Sequence, residues 1–83
     1  MDPSQKPSIE YPCEWEYRII GMDPDRIRRT VGHVVGEVEH NLHVVRSNGK
    51  YWSLSLSLIV RDESHRLEVY RELSSSVHVK MVL

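Results

Sequence analysis

The chain has one cysteine, Cys13, so no internal disulfide can form. It lacks a surplus of either charge: 11 Lys+Arg stand against 12 Asp+Glu, a formal net of -1. Nucleic-acid binders draw much of their affinity from neutralising phosphates, so this balance makes nucleic acid an unfavoured partner for the chain as a whole. No apolar run approaches the roughly 18 residues that a membrane-crossing helix needs, and no membrane association is expected. The opening Met1-Asp2-Pro3-Ser4-Gln5-Lys6-Pro7-Ser8 has no apolar stretch and does not read as a signal peptide, so cytoplasmic residence is the expectation. The loop Gly21-Met22-Asp23-Pro24 has one glycine, where a phosphate cradle needs several to bring its amides close to the anion. Repeats at solenoid periods are absent as well.

What remains is an ordinary globular composition in 83 residues, enough for one domain. A domain of this size buries only about 60% of the surface its unfolded chain exposes, so its core is thin and self-association would help it. Residues 1–10 are polar and carry two prolines, and read as a loose tail. In the next segment Cys13, Trp15, Tyr17 and Ile19 alternate with Glu14, Glu16 and Arg18, the period of a strand buried on one face, closed by Gly21. Asp23-Pro24-Asp25 then starts a helix, with Asp23 as cap and Pro24 at the first position. Behind it Ile27, Val31, Val34 and Val38 fall within about 60° of one another on a helical wheel, a narrow apolar stripe.

Strand-like residues return at Leu42-His43-Val44-Val45-Arg46, and Asn48-Gly49 marks a hairpin. The strand from Tyr51 to Val60 sends Trp52, Leu54, Leu56, Leu58 and Val60 one way and Tyr51, Ser53, Ser55 and Ser57 the other. Asp62-Glu63-Ser64 opens a second helix whose inner side is read as Leu67, Tyr70 and Leu73. A last strand runs from Val77 to Leu83, with Val77, Val79, Met81 and Leu83 inward. The order predicts an α+β, ferredoxin-like βαββαβ fold. Its two right-handed crossovers interleave into a four-stranded antiparallel sheet with both helices on one face and the second and fourth strands at the edges.

Four stretches carry a family resemblance. They are Tyr11-Pro12-Cys13 with the strand ending in Gly21, Ser47-Asn48-Gly49-Lys50-Tyr51, Tyr70-Arg71-Glu72-Leu73-Ser74 and Val79-Lys80-Met81-Val82-Leu83. Together they resemble the YbeD-like family, small bacterial proteins of unknown function whose fold is similar to the ACT regulatory domains of amino-acid metabolism. The resemblance implies a single ACT-like domain over residues 11–83. It departs from the family pattern at Trp15 and Trp52 and in a short connection between the first helix and the hairpin. It further implies a ligand site at the end of the first strand, lined by Gly21, Met22 and Asp23, where Asp23 would meet an α-amino group and backbone amides the carboxylate.

No catalytic constellation is legible. Cys13 alternates with buried aromatics and has Glu14 and Glu16 beside it, which favour the neutral thiol over a nucleophile. His40 and His43 have no cysteine or carboxylate partner at a ligand spacing, so neither a metal nor a cofactor is expected. Surfaces for binding are plainer. Gly32 and Gly36, near Arg28 and Arg29, would leave bare backbone on the outer face of the first helix, where a partner helix or second copy could approach. On this reading Gly32→Leu would disrupt association and leave the fold intact. The chain therefore reads as a non-catalytic regulatory or protein-interaction module, a homo-oligomer or bound to a protein partner, with a small-molecule effector as a further candidate. The rival reading is a nucleic-acid binder using the hairpin tip at Lys50 and the arginines Arg26, Arg28 and Arg29.

Overall fold

The computed structural model describes residues 9–83; the loose tail expected over residues 1–10 lies, up to residue 8, outside the described residues. Six elements follow in order: β1 (Cys13–Gly21), α1 (Pro24–Val35), β2 (His40–Asn48), β3 (Tyr51–Val60), α2 (Glu63–Ser74) and β4 (Met81–Val82). The sheet order is β2-β3-β1-β4, all neighbours antiparallel, which is the ferredoxin-like βαββαβ arrangement with β2 and β4 at the edges. Tyr17 and Ile19 of β1 and Leu54, Leu56, Leu58 and Val60 of β3 share one core with Ile27, Val31 and Val35 of α1 and Val69 and Leu73 of α2. Both helices therefore cover the same sheet face.

Both helices begin as capping chemistry dictates. The Asp23 carboxylate accepts from the amides of Asp25 at 3.0 Å and Arg26 at 3.3 Å, and Asp62 accepts from the His65 amide at 2.7 Å. The first helix stops earlier than its apolar stripe suggested. Gly36 sits at φ 60°, a conformation open to glycine, and its amide closes on the Gly32 carbonyl at 2.9 Å. Val38 thus lies beyond the helix and is exposed, Val34 is half-buried, and Val35 takes the inner position in its place.

Three further expectations are corrected. Asn48 pairs with Tyr51, so the hairpin turns on Gly49-Lys50 and only Gly49 has positive φ, the glycine-first pattern of a type II′ turn. The inner side of α2 is Val69 and Leu73, with Leu67 and Tyr70 exposed, because Arg66 takes the adjoining inward position. Finally, β4 is short. Residues Ser76 to Val79 form a turn closed by the Val79 amide on the Ser76 carbonyl at 3.2 Å, which leaves Val77 91% exposed at its tip. Beyond the turn Val79 and Val82 are buried, whereas Met81 and Leu83 are exposed.

The uncovered sheet face carries Glu14, Glu16, Arg18 and Ile20 of β1 opposite Ile59, Ser57, Ser55 and Ser53 of β3. In its middle the Ser55 hydroxyl and the Arg18 Nε are buried without a hydrogen-bond partner among the described residues. A bulge in β2 between Val44 and Arg46 changes the facing: Val44 lies opposite Leu54 on the core side, whereas Arg46 lies opposite Ser53 on the open side.

Candidate functional site

The end of β1 is held close to the turn before β4. A Cβ at Gly21 would lie 2.5 Å from the His78 carbonyl oxygen and 2.8 Å from Ile27 Cδ1, so only glycine admits this approach. Three polar contacts fix the turn. The Lys80 amide donates to the Ile20 carbonyl at 2.7 Å. The Ser76 hydroxyl accepts from the His78 amide at 3.2 Å and lies 3.1 Å from Thr30 Oγ1. Because Thr30 spends its proton on the Arg26 carbonyl at 3.0 Å, Ser76 is the donor in the pair and ties the turn to α1.

Between these parts lies a cleft of about 400 Å³. Gly21, Met22 and Asp23 form one wall, His78, Val79 and Lys80 the other, and Arg26 and Tyr51 close the ends. A neighbouring recess of about 180 Å³ is lined by Arg26, Arg29, Thr30, His33 and His78. Arg26 and His78 thus stand between two cavities, with Lys80 and Arg29 on either side. Asp23 is already engaged: Oδ1 caps α1 and Oδ2 lies 3.4 Å from Arg26 Nε. That contact engages Arg26 as well, so among the described residues Lys80 is the cleft's cation without a carboxylate partner, beside the positive end of the α1 dipole.

The structure brings Gly21, Met22 and Asp23 together and adds Lys80, His78 and Tyr51, which sequence reasoning had placed on outward strand positions. The alternation from Val77 to Leu83 gave no signal for the turn; the three serines before it, Ser74 to Ser76, were the one hint. Of the outer-helix residues, Arg29 lines the recess, Arg28 lines neither cavity, and Gly32 is exposed with nothing within 4 Å of a built Cβ. Gly36 is the helix stop rather than a second interior glycine. Lys50, at the hairpin tip, places its ammonium 5.5 Å from the centre of the Tyr51 ring.

At the opposite end of the sheet a second cluster surrounds Arg66. Its guanidinium lies 4.5 Å from the Trp15 ring centre, and its Nε donates to the Tyr11 hydroxyl at 3.0 Å. The Tyr17 hydroxyl donates to the Arg66 carbonyl at 2.7 Å. Burial pushes Tyr17 up to about 12; the Arg66 charge opposes that shift and Tyr11 adds to it. Cys13 is half-buried against the core nearby. Among the described residues no three His, Cys, Asp or Glu side chains gather as metal ligands, and the His40 Nδ1 is taken up by the Val38 carbonyl at 2.8 Å.

The element order and sheet topology define an ACT-like ferredoxin fold. The match to the ACT domain of a GTP pyrophosphokinase from Chlorobium tepidum shows that fold, with a TM-score of 0.62 at 17% identity over 84% of this chain and 94% of that one. The chain belongs to the family described as "Protein of unknown function (DUF493)", whose model matches residues 6–83. Similar proteins include an uncharacterized protein of Helicobacter pylori, 30% identical over 86% of this chain and 85% of that protein. A UPF0250 protein of Hahella chejuensis is 31% identical over the full length of both. A solution structure of a Helicobacter pylori protein superposes with a TM-score of 0.82 at 29% identity, over 98% of this chain and 91% of that one. No helix among the described residues is long and apolar enough to cross a membrane.

Proposed function

We propose that the chain is a non-catalytic regulatory module whose cleft at the end of β1 takes a small anionic metabolite. The observation that carries this reading is the convergence of Arg26, His78 and Lys80 on one cavity whose acid, Asp23, is committed to the helix cap. A carboxylate or phosphate group there would meet the Lys80 ammonium and the α1 dipole, with Arg26 shared with Asp23. Tyr51 and Met22 offer apolar surface for the rest of the molecule. Binding would fasten the 76–80 turn to the start of α1, and that change is what a partner protein or second copy would read. The outer face of α1, with Arg28, Arg29 and the bare backbone of Gly32, is the surface we assign to such a contact.

Native mass spectrometry of protein purified gently from its own cells tests the site, combined with amide NMR titration against α-amino acids, dicarboxylates and inorganic phosphate. The expected result is a saturable shift of Gly21, Met22, Asp23, His78 and Lys80 that Lys80→Ala weakens about tenfold, the loss of one charge-assisted bond. If no anion co-purifies and none moves these amides at about 10 mM, weaker than any useful effector, the reading is wrong.

A further inference from the structure

The edge of β1 away from the cleft offers a different chemistry. Arg18 exchanges both backbone bonds with Leu83, at 3.1 and 2.8 Å, and the Ile20 carbonyl accepts from the Lys80 amide. Even-numbered residues of β1 therefore aim their peptide groups at the β4 side, and the two-residue period aims those of Glu14 and Glu16 the same way. On its other side β1 is matched by β3 along its whole length, Cys13 to Val60 through Gly21 to Trp52. Among the described residues β4 pairs only with Ile19 and Ile20, and no other backbone reaches Glu14 or Glu16. Among the described residues, the edge of β1 at Glu14 and Glu16 thus has no strand beside it.

The two sides of that edge specify what would pair with it. Toward α2 lies a groove of about 290 Å³ lined by Trp15, Tyr17, Leu67, Tyr70 and Leu83, with the Arg66 guanidinium lying over Trp15. Side chains of an added strand opposite Tyr17 and Trp15 would enter this groove. Toward the open sheet face stand the exposed carboxylates of Glu14 and Glu16, the latter with only a loose 3.7 Å contact to Arg18. Side chains opposite Glu16 and Glu14 would lie directly beside these acids.

We propose that this edge captures an extended segment of a partner protein, antiparallel to β1, in which large apolar residues facing α2 alternate with lysine or arginine facing the carboxylates. Backbone bonds to Glu14 and Glu16 extend the existing β1–β4 ladder and supply affinity, and the alternation sets register and specificity. The inference does not rest on anion binding in the cleft, which lies at the other end of β1.

The test uses a synthetic peptide of about eight residues, a typical strand length or slightly more, in which leucine alternates with lysine. A peptide of the same composition in block order is the control. Amide NMR of the full chain should show saturable shifts centred on Glu14 and Glu16 with the alternating peptide and at least tenfold weaker binding of the block peptide. Glu16→Pro removes the outward N–H without touching the ladder to β3 and should abolish binding. Should that variant fold poorly, Leu67→Glu, a change at an exposed position, should weaken binding at least tenfold. Reversing the edge's charge with Glu14→Lys and Glu16→Lys together should shift preference to a leucine–glutamate peptide. Lys80→Ala, which disables the cleft, should leave all of this unchanged. Equal binding of the block peptide, or undiminished binding by both Glu16→Pro and Leu67→Glu, overturns the proposal. So does concentration-dependent protection of Glu14 and Glu16 without peptide, which would make the occupant a second copy.

Discussion

At its Gly21 end β1 has a neighbour on both sides, whereas at its Cys13 end, among the described residues, it has β3 alone. The first end spends its backbone groups on the turn before β4, so what it offers to other molecules is side chains: Lys80, His78 and Arg26 around a polar cleft. At the second end the outward backbone groups of Glu14 and Glu16 have no partner among the described residues, and Arg66 is laid on Trp15 and bonded to Tyr11. A helix starts at each end, α1 beside the cleft and α2 beside the aromatic cluster, so each end also receives a positive dipole terminus. One strand with a regular alternation thus presents two surfaces of opposite kind, and the presence or absence of a second neighbour decides which.

The largest expected effect breaks the paired end. Gly21→Ala puts a methyl group 2.5 Å from a backbone oxygen and 2.8 Å from a buried isoleucine, and backbone cannot swing aside as a side chain can. We expect a loss of about 3 kcal/mol, the upper range for overpacking, read as a lower urea midpoint with an unchanged slope. Anion shifts in the cleft should fall with it, whereas the Trp15 and Arg66 contacts should survive in the folded fraction. A loss below about 0.5 kcal/mol, the level of ordinary surface substitutions, would show that the turn is not held where the structure puts it.

The next effect sharpens the contrast from the other end. In the folded chain Tyr17 titrates at about 12, against 10.0 for an unburied tyrosine, because burial disfavours its phenolate. Below pH 10 both states keep the proton and the contribution is complete. From there to about pH 12 the unfolded chain ionises first, so it is favoured and stability falls, by an amount on the order of 2 kcal/mol. Tyr17→Phe should cost about 1 kcal/mol at neutral pH through the lost bond to the Arg66 carbonyl, and should remove this alkaline slope. Urea midpoints of both proteins across that range provide the check; parallel slopes would mean that Tyr17 is not shielded as described.

How much of this was legible follows the strength of the local signal. The alternation from Cys13 to Ile19 and from Trp52 to Val60, and the Asp23-Pro24 start, fix the elements because period and cap chemistry agree there. The second helix misled because its apolar residues are spread around the wheel: Leu67, Val69, Tyr70 and Leu73 admit two inner faces. The choice falls to Arg66, whose aromatic partners Trp15 and Tyr11 are distant in sequence. The end of the chain misled for a similar reason. An apolar residue at every second position from Val77 suits a long strand, but Gly21 admits the His78 carbonyl so closely that a turn replaces its first half. Gly21, Met22 and Asp23 were legible as a place. Lys80 and His78 were not, because their arrival depends on that turn.

The smallest effect concerns α1, the element that spans the two ends. Its two glycines, read from the sequence as a matched pair, are opposites in the structure: Gly32 is an interior helical residue with open space around it, and Gly36 holds positive φ at the stop. Gly32→Ala should therefore raise stability by about 0.5–1 kcal/mol, the entropy that glycine wastes in a helix. Gly36→Ala should lower it by about 1 kcal/mol or slightly more, since an L side chain is strained there. The signs are read from urea midpoints. Gly32→Leu then separates folding from association: among the described residues nothing lies within 4 Å of a Cβ built there, so a change in molar mass or partner retention at full stability locates a contact on that face. An unchanged molar mass together with unchanged partner retention removes the α1 face as a docking surface and leaves the open edge at Glu14 and Glu16 to carry association alone.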